Sequence, residues 1–118
     1  MDWASVPALA AATVMLVFGL GAMARPASLR WVGVSAVSAL GASEIRAVFG
    51  GMFVALAAGC LITRDPLVCA VVGAAWFADV MVRVASTFID RVPARQSVVV
   101  IAIGLSVGAG LASGYWLL

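Results

Sequence analysis

The chain contains no histidine and no lysine, and only 10% of its 118 residues are charged. Each absence closes off a class of chemistry. Without His there is no usual axial ligand for haem and no imidazole for most zinc or copper sites, so no haem and no His-ligated pigment is expected. Without Lys a retinal-type Schiff base cannot form. The two cysteines, with no His beside them, offer no metal site, and the chain has no Ser-His-Asp set, Gly-rich phosphate loop or Cys-x2-Cys motif. The sequence therefore predicts no enzyme activity, no cofactor and no nucleic-acid partner.

What remains is apolar: 65% of residues are hydrophobic and the mean hydropathy is +1.20. These residues fall in blocks about as long as a bilayer needs, roughly 17 to 25 residues. The expected fold is an all-α integral membrane protein, an antiparallel four-helix transmembrane bundle forming a single domain over 1–118. The first span reads 6–24, with Pro7 in its first turn and Arg25-Pro26 as its stop. Asp2 stands where a secretory leader would be basic, so no cleaved signal is expected. The next segment, 27–46, is expected to be interfacial or re-entrant, because its apolar part from Trp31 to Ala42 is too short to cross. Further spans read 47–63, 67–89 and 97–118, separated by Arg64-Asp65-Pro66 and Asp90-Arg91-Val92-Pro93.

Arginine placement sets an orientation. Arg25, Arg30 and Arg46 precede or open the second span and Arg91 and Arg95 lie between the third and fourth, whereas the other side has only Arg64. In a bacterial inner membrane both termini would then be periplasmic, with lipid as the constant partner.

Asp79 and Arg83 interrupt the third apolar block. A charge at membrane depth costs about 2.5 to 3.5 kcal/mol on insertion scales, so charges there need a reason. At i, i+4 the two can pair along their own helix, and Glu44 and Arg46 enter the second span from the same side, which predicts an intramembrane cluster of four charges. Two readings stay open: an ion-pair network that fixes how helices two and three pack, or the lining of a small polar-ligand or proton site.

Glycines supply a second pattern. Gly50 and Gly51 follow the charged element, and Gly51, Ala55 and Gly59 make a line of small residues along span two. Span four carries Gly104, Gly108, Gly110 and Gly114 at four-residue spacings. Such lines let helix backbones approach, within the bundle or against another chain. Cys60 and Cys69 flank the short turn between spans two and three and read as buried apolar thiols, a disulfide being the alternative. Trp3, Tyr115 and Trp116 fit an outer aromatic belt and Trp31 the inner interface, while Trp76 fits core packing.

At Ser43-Glu44-Ile45-Arg46-Ala47-Val48-Phe49-Gly50-Gly51 the chain resembles the small four-helix bacterial membrane proteins of the DUF4345 type, which have a comparable Arg-Ala-x-x-Gly-Gly element opening helix two. The resemblance implies the four-helix architecture and supplies no mechanism. Val82 precedes Arg83 where the family's third helix has Gly before Arg, so a shared ligand role for Arg83 is not carried over.

The functional expectation is a non-catalytic accessory or scaffold subunit packing, through helix four, against a larger membrane complex such as a photosynthetic or respiratory one. The alternative is a small proton-coupled transporter or polar-ligand-binding membrane protein using Asp79 and Arg83. Span one has no carboxylate, unlike the compact multidrug exporters.

Overall fold

The computed structural model describes residues 6–32 and 34–116, with the side chains of 31, 32 and 114–116 left aside. The belt roles of Trp3, Trp31, Tyr115 and Trp116, the Gly114 spacing and the end of span four at Leu118 thus lie outside the described residues. The chain is all-helical, with no strand among the described residues, and four of its helices are long and apolar enough to cross a membrane.

Helix α1 is Val6–Ala24, and it stops where Pro26 removes a backbone donor and opens a 3-10 turn, Pro26–Val32. Helix α2 runs Ala39–Thr63. Its beginning differs from the expected one, since the helix starts at Ala39 and runs without a break through Arg46 into 47–63. Two features carry the helix through Glu44 and Arg46. Ser38 caps it, its hydroxyl accepting from the Gly41 N–H at 3.0 Å. Arg46, which the sequence placed just before the span, donates through Nη1 to the Met23 carbonyl in the last turn of α1. The middle of α2, Ile45–Met52, is a wide π-helical stretch, bonded five residues back rather than four.

Arg64 closes α2 in the left-handed conformation at φ 51°, its N–H reaching the Cys60 carbonyl at 2.9 Å. Asp65 then caps α3, Pro66–Ile89, accepting from the Leu67 N–H at 2.9 Å with Pro at the first helical position. Helix α4 is Ala94–Trp116, beginning directly after Pro93 and so before the expected Ser97.

In space the order is α2, α1, α4, α3. The seam between α3 and α4 is the most extensive, α1 packs on both α4 and α2, and α2 has little contact with α3 although one turn joins them. The Cα trace measures 43 × 31 × 17 Å. Four helices spaced about 8–10 Å apart in a square would give two similar short axes, so these dimensions fit a bowed row with a concave side.

Small residues set the seams. A Cβ on Gly73 of α3 would stand 2.8 Å from the Gly108 carbonyl oxygen of α4, and one on Gly104 would stand 2.7 Å from Val80 Cγ2. Across α1 and α4, a Cβ on Gly110 would meet Ala11 Cβ at 3.0 Å; across α1 and α2, one on Gly19 would meet Val54 Cγ2 at 2.9 Å, and one on Gly50 would collide with Met23. A dense core gathers Ala12, Ala57, Cys60, Cys69 and Leu111 at the end holding the α2–α3 turn. A smaller cluster of Ala22, Leu29 and Ile45 lies under the 3-10 turn at the other end.

Candidate functional site

The concave side is a cleft of about 280 Å³ to which all four long helices contribute, α2 and α3 forming its lips. Along α3 its wall runs through Val72, Ala75, Trp76, Asp79 and Arg83. At 1.5 Å per residue that is about 17 Å, apolar for the first 10 Å or so and charged over the last turn.

Aromatic side chains shape its middle. Trp76 donates its ring N–H to the Met15 sulfur at 3.4 Å and stands 5.4 Å, centroid to centroid, from Phe53 of α2. Phe53 in turn contacts Phe18 of α1 at 5.7 Å and Phe49 at 5.8 Å, tilted and edge-on as aromatic quadrupoles prefer. Trp76 therefore packs on the core and also lines the cleft. The sequence signal for this wall was present in Phe49 and Phe53, one helical turn apart, but nothing in one chain's pattern tells which neighbour such a pair will face.

At the charged end, Arg83 Nε donates to Asp79 Oδ2 at 2.7 Å. The two side chains are 35% and 44% exposed respectively, so the pair borders the cleft rather than sitting in the core. The geometry uses one guanidinium donor of five and one carboxylate oxygen of two. Among the described residues no protein group meets the four Nη donors of Arg83 or the second oxygen of Asp79. A turn further on, Thr87 donates to the Arg83 carbonyl at 2.7 Å and pairs its hydroxyl with that of buried Ser97, which ties the charged end of α3 to the start of α4.

The expected cluster of four charges divides. Asp79 and Arg83 come together, whereas Arg46 serves as a cap on the C-terminal carbonyls of α1 and Glu44 is exposed with no ion pair among the described residues. The partner of Arg46 is a backbone oxygen, which no pattern of charges in the sequence announces.

The glycines divide as well. Gly50, Gly104, Gly108 and Gly110 face neighbouring helices of the same chain, so the last three, on helix four, serve internal seams. A Cβ on Gly51 would have only its own helix nearby, and one on Gly59 would meet nothing within 4 Å. Cys60 and Cys69 are both buried and both free.

Compared with models of known protein families, with curated proteins and with solved structures, the chain gives no match. Its function is therefore read from its own geometry.

Proposed function

We propose that the chain is a four-span membrane protein, its helices antiparallel in a bacterial inner membrane with both termini periplasmic, and that it is a non-catalytic binding protein holding an amphipathic ligand in the cleft between α2 and α3. The observation that carries this reading is the Asp79/Arg83 pair, half-exposed at the end of an apolar cleft with most of its hydrogen-bonding capacity unused. Inside a bilayer such groups have no bulk water to turn to, and an unmade bond there is costly. An ion pair that served only to staple helices would face a neighbouring helix; this one faces the cleft.

Opposite polarity of neighbouring helices is supported by the order of close approaches, Gly19 to Val54 and Gly50 to Met23 on one seam, Gly73 to Ala112 and Gly104 to Val80 on another. Orientation is supported by Arg25, Arg30, Arg91 and Arg95 at the charged end of the cleft, against Arg64 at the other.

The test is mass spectrometry of small molecules that co-purify with the untagged protein, wild type against Ala75→Trp, which fills the cleft from α3. A bound species that is stoichiometric in the wild type and missing from the variant is the expected result. Identical profiles would sink the reading.

The accessory-subunit reading survives on a different helix. The line Gly51, Ala55 and Gly59 on α2 is the small-residue surface left free by internal packing, so a partner subunit would dock there and not on α4. Co-purification with a larger complex, abolished by Gly59→Leu in a folded protein, is its expected signature.

A further inference from the structure

We infer that the cleft selects a single-chain amphiphile whose head presents a hydroxyl next to the chain and an acidic phosphate beyond it, the chemistry of a lysophosphatidic acid. The inference rests on the cleft-binding reading above and names the ligand class.

Three features select this class. The first is order along α3. Moving outward from Val72, the α3 positions on the cleft wall are apolar at Ala75 and Trp76 and then charged at Asp79 and Arg83, the guanidinium reaching back to the carboxylate at 2.7 Å. The apolar tail comes first and the polar head last, with a hydrogen-bond donor for the Asp79 carboxylate beside an oxygen-rich acceptor for the Arg83 guanidinium. A phosphodiester lipid with a terminal ammonium runs the other way, with its cation outermost.

The second is charge. Asp79 is already balanced by Arg83 at 2.7 Å, so a neutral hydroxyl suffices for its free oxygen, and a second cation there would lie against the guanidinium. The Nη edge of Arg83 is a planar fork that matches phosphate oxygens in pairs. Arg25, Arg30, Arg91 and Arg95 lie at the same end, with Glu44 and Asp90 as the acidic residues there, which leaves that rim positive and favours an anionic head.

The third is size. At about 280 Å³ the cleft falls at the bottom of the range of ligand sites, about 300 to 1,000 Å³, which favours the slimmer, single-chain amphiphile. The ring of Trp76 and those of Phe49 and Phe53 flank the path of that chain.

The experiment is native mass spectrometry of the purified full-length protein titrated with oleoyl lysophosphatidic acid, its 2-deoxy analogue and two-chain phosphatidic acid, using the wild type, Arg83→Gln, Asp79→Asn and Ala75→Trp. Wild type is expected to bind the lysophosphatidic acid at least about tenfold more tightly than either comparison lipid, the order of one charge-assisted hydrogen bond. Arg83→Gln should weaken it by a similar factor, Asp79→Asn should remove the preference over the deoxy analogue, and Ala75→Trp should abolish binding with the charged pair intact. Equal binding of two-chain phosphatidic acid, or equal binding of the deoxy analogue, overturns the inference and leaves the cleft reading standing. Binding unchanged by Ala75→Trp, or none at all, also overturns the inference, and the cleft reading then stands or falls on the co-purification comparison alone. Should Arg83→Gln fail to fold, the two lipid comparisons on the wild type still decide.

Discussion

The two ends of the helix row are built on opposite principles. At the end holding the α2–α3 turn, Ala12, Ala57, Cys60 and Leu111 are fully buried and the backbones of α3 and α4 approach so closely that Gly73 has no room for a methyl group. At the other end α2 and α3 part, and the space between them is bordered by an ion pair only half withdrawn from its surroundings. At the first end small side chains bring the helices together; at the other the space between α2 and α3 is lined by aromatic and charged ones. Close packing and open space are thus divided between ends of the same four helices. A bundle held shut at one end can leave the other open without losing its register, because each helix is fixed by at least one tight seam.

That division is open to attack from both ends. The largest effect is expected at the closed end: Gly73→Leu drives a side chain into the Gly108 carbonyl and should cost about 3 kcal/mol or more, the upper range for overpacking, read as loss of folded protein in a detergent thermal melt. Arg46→Met comes next. It removes a charged donor from the Met23 carbonyl and should cost about 1.5 to 3 kcal/mol in the same melt, loosening α1 from α2 without touching the cleft charges. Ser38→Ala removes the cap of α2 and should cost about 1 kcal/mol, seen as faster amide exchange confined to the first turns of that helix. At the open end Asp79→Asn should cost no more than about 1 kcal/mol, the order of a hydrogen bond between side chains of membrane helices, because the amide oxygen still accepts from Arg83 Nε. A loss of about 3 to 5 kcal/mol, as for a buried pair, would return Asp79 and Arg83 to a stapling role. Smallest of all, Gly59→Ala should change stability by less than about 1 kcal/mol and in the favourable direction, since open space surrounds that position and Ala favours helix.

The helix stops were legible because proline and turn chemistry act locally: Arg25-Pro26, Arg64-Asp65-Pro66 and Pro93 each act within a few residues. The start of α2 was not, because Glu44 and Arg46 look like a boundary until Arg46 finds a backbone oxygen 23 residues away in sequence. The Asp79/Arg83 pair was legible from i, i+4 spacing alone, whereas the separation of Arg46 and Glu44 from it depended on where α1 ends relative to α2. Glycine spacing signalled close approach on α4 but gave no direction; the order α2, α1, α4, α3, which turns those glycines inward, is a property of the assembled row. The cleft itself follows from that order, since it places the sequence neighbours α2 and α3 at opposite edges.

The most direct test of the division uses thiol chemistry on both ends at once. In Ala75→Cys the introduced thiol lines the cleft, while Cys60 and Cys69 remain as buried internal controls at the closed end. Membranes carrying this variant would be treated with an apolar maleimide and the labelled peptides quantified. The account predicts rapid labelling at position 75, slowed when Met52→Trp is added from the facing wall, with Cys60 and Cys69 unmodified throughout. A thiol at position 75 as unreactive as the two native ones would mean that α2 and α3 close on each other in the membrane, and the cleft would have to be abandoned.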